Sequence, residues 1–157
     1  MRTIAMNSLI NSNINIITNL KSSNRNDINI ISLILCELHF SSKYKRVVEY
    51  FYWAFLYLLC AERVEFISVG VGQIQIRHWI RFEFIKNDKM FSSLKNFQNT
   101  RLNYDLILKI FDEFDLKKLN DNQIIAIYRG EVRSYHLNLF KVLKKDLAAS
   151  NFGFLYA

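Results

Sequence analysis

The sequence predicts an α+β fold that is mostly α, with one small β-hairpin element near its middle. Three observations carry that prediction. Apolar runs recur at helical spacing from Ile28 to Leu147, several of them preceded by good N-cap residues. The chain holds no proline and only four glycines, so few positions interrupt a helix. Two of those glycines stand in Ser68-Val69-Gly70-Val71-Gly72-Gln73-Ile74, which runs into the alternating Ile74-Gln75-Ile76-Arg77. A chain so sparing of glycine uses it where φ is positive or where backbone comes close to something else. The segment therefore reads as a glycine-kinked β element beside a groove.

Residues 1–25 read as an N-terminal arm or leader, and 26–157 as one domain. In the arm, Asn13-Ile14-Asn15-Ile16 alternates too weakly to decide between a strand and a short helix. Asn26 and Asp27 are suitable N-caps for a helix over Ile28–Phe40. That helix is apolar nearly all round, so it should be buried, with Glu37 as its one interior acid. Ser41-Ser42 ends it. Tyr44–Ala61 reads as an aromatic-rich core helix, with Val47, Val48, Phe51, Phe55, Leu58 and Leu59 on a broad apolar face.

The β region is placed over Phe66–Trp79, passing into Ile80–Ile85, with a turn at Asn87–Lys89. Short helices are expected over Phe91–Asn99 and Asp105–Phe114, then a connector over Asp115–Leu119. Asn120 or Asp121 caps a helix over Gln123–Tyr128 that stops at Arg129-Gly130. The last helix, Ser134–Leu147, sets Leu137, Phe140, Val142, Leu143 and Leu147 against Lys141, Lys144 and Lys145. No internal repeat or linker divides the chain.

At 157 residues the chain is long enough to bury a core, and 51% hydrophobic content excludes a disordered one. A net charge of +7 favours a polyanionic partner: nucleic acid, anionic lipid or an anionic cell wall. Cys36 and Cys60 lie in apolar helical runs and read as buried thiols. His39, His78 and His136 lack ligand spacing, so neither a metal nor another cofactor is expected. Met1–Ser23 has no compact apolar region of the kind that directs secretion. The apolar run Val47–Cys60 is too short to cross a bilayer and contains Glu49.

Three features follow one another along the chain. An acid sits in an apolar helix, Leu35-Cys36-Glu37-Leu38-His39-Phe40. Then comes Ser68-Val69-Gly70-Val71-Gly72-Gln73-Ile74, and later Ile125-Ala126-Ile127-Tyr128-Arg129-Gly130, with Tyr135 behind it. This order resembles the lysozyme-like superfamily, in particular the soluble lytic transglycosylases and goose-type lysozymes. Ser68-x-Gly70-x-x-Gln73-Ile74 matches that family's groove segment. Glu37 matches its catalytic acid by position at the end of a buried helix. Tyr128-Arg129-Gly130 stands where the family has Tyr-Asn-x-Gly. Arg129 replaces the usual Asn, Leu38 replaces the usual Ser after the acid, and the Tyr44–Ala61 helix lengthens the interval between acid and groove segment. The resemblance covers about Ile30 to Leu147.

The resemblance implies a lysozyme-like helical domain that cleaves the MurNAc-GlcNAc β-1,4 bond of peptidoglycan. It implies glycan strands as partner, a monomer, and a periplasmic or extracellular site of action. Glu37 would be the general acid and base. Such cleavage needs a carboxylic acid still protonated near neutral pH, and burial among Leu35, Leu38 and Phe40 would favour that form. A lytic transglycosylase needs only this acid, because the sugar's own 6-hydroxyl attacks. A hydrolase needs a second carboxylate or a positioned water, and Glu62 and Glu65 are the candidates. Ser68 and Gln73 would bind N-acetyl or hydroxyl groups. Gly70 and Gly72 would admit close backbone approach, and Tyr128 would orient the acid. Arg77, Arg129 and Arg133 would attract the anionic wall.

Two other readings stand beside this one. A non-catalytic basic domain that binds a polyanion, such as nucleic acid or anionic cell wall, rests on the +7 charge and on Arg77-His78-Trp79-Ile80-Arg81-Phe82. No nucleic-acid-binding motif supports a nucleic-acid partner. A membrane or partner-helix module would rest on Val47–Cys60, where Glu49 and the length argue against it.

Overall fold

The computed structural model describes residues 12–21, 27–41, 43–59, 67–85, 94–130 and 132–149. They form eight helices and one two-stranded antiparallel sheet. Contacts gather into two compact units, one of Met1–Cys36 with Phe111–Ala157, the other of Glu37–Ile110. No helix among the described residues is long and apolar enough to cross a membrane.

The first unit begins with α1, Ile14–Lys21. Its turns bury Ile17 and Leu20, three apart on one face, so this stretch is a packed helix. Asp27 then caps α2, Ile28–Phe40, accepting from the Asn29 amide at 2.8 Å and the Ile30 amide at 3.3 Å. Every residue of α2 from Ile30 to Glu37 is buried, as its all-round apolar sequence requires. Cys36 is a buried thiol within it, and Cys60 lies outside the described residues.

After the 3-10 turn Leu116–Lys118 comes α7, Asp121–Arg129. Asn120 and Gln123 close a reciprocal box: each side-chain oxygen accepts from the other's amide, at 3.0 and 2.9 Å. Gly130 ends the helix in the left-handed conformation, its amide donating to the Ala126 carbonyl. The final helix α8, Ser134–Ala149, packs on α7 and buries His136, Phe140, Leu143 and Leu147. The face is thus led by His136, while Val142 is exposed. Lys144 reaches Asp121 at 2.8 Å across the pair. Asn120→Ala removes the oxygen that satisfies the Gln123 amide. It is expected to cost about 1 kcal/mol, read as a fall of about 2–4 °C in melting temperature. An unchanged melt would show that this cap contributes nothing.

The second unit takes in the last turn of α2 and then α3, Lys43–Leu59. Arg46 ties the two together by donating to the Ser41 carbonyl at 2.8 Å. The helix α3 is oriented opposite to the sequence expectation. Its fully buried side chain is Trp53, and the broad apolar face from Val47 to Leu59 is exposed. Next come β1, Ser68–Val69, and β2, Ile74–Gln75, in register Ser68↔Gln75 and Val69↔Ile74. The expected longer β region stops there. Ile76–Arg81 is helix α4, because Ile76 and Trp79, three apart, are both buried and this spacing outweighs a two-residue alternation. Helices α5, Leu94–Gln98, and α6, Thr100–Asp112, follow.

One aromatic residue organises this unit. Phe97 on α5 is fully buried and meets Trp79 at 5.1 Å and Trp53 at 6.2 Å, both edge to face. Tyr50 stacks on it at 6.5 Å. Such arrangements add roughly 0.5–1.5 kcal/mol per pair to the burial of the rings. The cluster joins α3, α4 and α5, the elements around the hairpin.

Candidate active site

The hairpin turn is fixed from α5 and α6. Gly70 has φ +82, and Gln73 follows at φ +51. The Val71 amide donates to the Phe97 carbonyl at 3.1 Å. The Gly72 amide donates to Asn103 Oδ1 at 2.9 Å. Asn103 is itself fully buried, and its Nδ2 donates to the carbonyls of Phe97 and Asn99 at 2.9 and 2.8 Å. The Val71 and Gly72 amides therefore each find an acceptor within the protein, as buried backbone must.

This arrangement explains Gly70. A Cβ there would stand 2.3 Å from the Phe97 carbonyl oxygen and 3.1 Å from Asn103 Oδ1. The close approach that demands glycine is to the protein's own backbone. The role expected for Gly70, admitting a glycan to the backbone, is not what its geometry requires.

Gln73 faces α3. Its Nε2 donates to Glu49 Oε2 at 2.9 Å and to the Gly70 carbonyl at 3.2 Å. Glu49 is 22% exposed and also meets Lys45 at 3.7 Å. The side-chain nitrogen of Gln73 is thereby committed, which turns its amide oxygen into the group left to accept from a ligand. Ser68 is half-buried on β1 opposite Gln75.

Next to Glu49 on α3, Tyr50 stacks its ring on Phe97. Burial pushes its hydroxyl above the ordinary value of 10.0. Gln98, Arg46 and the Gly70 backbone pull it down and the Glu49 charge pushes it up, without reversing the burial effect. Because the folded value lies above the unfolded one, this group's contribution to stability is full below pH 10 and is lost as the pH rises through the folded value. Tyr50→Phe is expected to flatten the alkaline side of the stability curve. Urea unfolding between pH 8.5 and 11 would show it, and parallel curves for both proteins would exclude Tyr50 as the source.

Glu37 stands in the last turn of α2, 3% exposed, its carbonyl accepting from the Ser41 amide at 2.8 Å. It belongs to the same unit as Ser68, Gly70, Gly72 and Gln73. Tyr128 and Arg129, at the end of α7, belong to the other unit. Glu62 and Glu65 lie outside the described residues. The carboxylate described against the hairpin is Glu49, which sequence reasoning counted only as a charge interrupting an apolar run. Asn103 was also missed, although its spacing from Ile107 and Ile110 places it on the buried face of α6. A polar residue at such a position has to serve a buried hydrogen bond. Among the described residues no group of three or more His, Cys, Asp or Glu could hold a metal ion.

No family model matches the chain, and neither does any curated protein or any solved structure.

Proposed function

We propose that the protein cleaves the glycan strands of peptidoglycan, with Glu37 as general acid and then base. The observations that support this reading are a buried acid in the last turn of a buried helix and a Ser-x-Gly-x-x-Gln-Ile segment that folds as a hairpin. Glu37 supplies the carboxyl group that would donate a proton to the leaving oxygen. Ser68 and the Gln73 amide oxygen supply hydrogen-bonding groups for an N-acetyl sugar. Glu49 holds the Gln73 amide in one orientation by accepting from its nitrogen. The basic surface of a chain with net charge +7 concentrates it on an anionic wall.

The chemistry balances without a cofactor. The Glu37 proton passes to the leaving glycosidic oxygen, and the resulting carboxylate then removes the proton from the attacking hydroxyl. Attack by the sugar's 6-hydroxyl gives a 1,6-anhydro product, and attack by water gives a reducing end.

Digestion of purified peptidoglycan, with products separated by mass, tests this reading. Anhydro-muropeptides would establish a lytic transglycosylase, and reducing-end muropeptides a hydrolase whose water needs a second carboxylate. Absence of both products would remove the activity and leave a basic domain that binds a polyanion.

A further inference from the structure

The outer face of α3 carries large apolar side chains and is open to solvent. Tyr44 is 86% exposed, Phe51 74% and Leu58 77%, with Val48, Phe55 and Leu59 exposed between and beside them. At about 100° per residue, the exposed apolar positions of α3 fill an unbroken arc of about 140°, along a helix of about 25 Å. A full aromatic side chain presents roughly 150–250 Å². Exposures of this size therefore put the face at or above the ~300–600 Å² of the largest patch on an ordinary monomer.

Three observations decide what covers it. First, the arc is wider than the narrow seam by which one helix grips another, so it suits a plane better than a single partner helix. Second, the acid of α3 does not interrupt it. Glu49 is turned inward to Gln73, and Lys45, exposed at the edge of the arc, neutralises it at 3.7 Å. Third, the chain carries +7, which repels a second copy and attracts an anionic surface.

We propose that α3 docks this protein onto an anionic lipid membrane, lying in the interface with its outer face among the acyl chains. Phe51, Phe55 and Leu58 enter the apolar layer. Tyr52, at the edge of the arc, has an apolar ring and a polar hydroxyl, the combination that settles at headgroup level. The helix lies on the bilayer and does not cross it, in keeping with its 17 residues. This docking stands apart from the proposed glycan cleavage and does not depend on it.

The test is co-sedimentation of the full chain with vesicles, one set of phosphatidylcholine with phosphatidylglycerol and one of phosphatidylcholine alone. Wild type is expected to bind the anionic vesicles and to bind the neutral ones at least about tenfold more weakly. The doubly substituted F51E/L58E chain is expected to lose about tenfold or more on anionic vesicles. Both positions are exposed, so its circular-dichroism melt should match wild type and separate lost docking from lost folding. Equal binding by F51E/L58E and wild type would overturn the proposal. So would a wild-type dimer in sedimentation equilibrium that ignores vesicles and is dissolved by F51E/L58E, since the face would then belong to a second copy.

Discussion

Replacing Glu37 by glutamine is expected to lower peptidoglycan cleavage by about 10²–10⁴-fold, the range that loss of a positioned general acid produces. The amide has nearly the same shape, so it fits the buried site at the end of α2, where the residue is only 3% exposed. It cannot donate a proton to a glycosidic oxygen or recover one from the attacking hydroxyl. Binding should survive, because Ser68 and the Gln73 amide are untouched. The expected signature is therefore a lost rate with wild-type sedimentation onto intact wall and an unchanged melt. Cleavage by the variant within a few fold of wild type would take Glu37 out of the mechanism and direct attention to Glu49, the carboxylate held against the hairpin.

The second large effect is structural, and a comparison of two glycines isolates it. Gly70 and Gly130 have nearly the same backbone, φ +82 and φ +76. Their surroundings differ: a Cβ at Gly130 meets nothing within 4 Å, while one at Gly70 falls 2.3 Å from the Phe97 carbonyl. Gly130→Ala should therefore cost about 1 kcal/mol, the conformational share alone. Gly70→Ala carries that share and also forces the turn off α5. The Val71 and Gly72 amides then lose good geometry to Phe97 and Asn103. About 3–4 kcal/mol in total is expected, a large part of a typical domain's stability. Urea unfolding of both variants measures the difference. Equal costs would mean that the turn moves freely and that crowding at Gly70 is unimportant.

Much of the helical frame was legible from residue types. Asp27 and Asn120 mark helix starts because their side chains accept the first free amides, and Gly130 marks a stop because only glycine takes its φ without strain. The run Ile28–Phe40 was readable as buried because no polar face competes. Two features were not readable, for different reasons. The β region was drawn too long because Ile74-Gln75-Ile76-Arg77 alternates, yet burial of Ile76 with Trp79 sets the helical period. The direction of α3 was reversed because periodicity reports that an apolar face exists and is silent on whether it meets protein or solvent. The fully buried Trp53 is one side chain, and the outward arc outnumbers it.

Around the hairpin, the β element itself was legible and the residues that support it were not. Asn103 and Phe97 act from elements well downstream, through contacts that local sequence does not encode. Glu49 was hidden by its surroundings, an acid in an aromatic run whose hydrogen-bond partner is Gln73, 24 residues away.

The bond between Gly72 and Asn103 spans 31 residues, and that separation bears on synthesis. Two strands of two residues each cannot hold a shape unaided. A nascent chain that has left the ribosome as far as Gln98 owns every residue of the turn and lacks the amide that fixes it. The hairpin thus takes form only when α6 arrives, so the fixing of this turn and the completion of its unit are one event in the life of the chain.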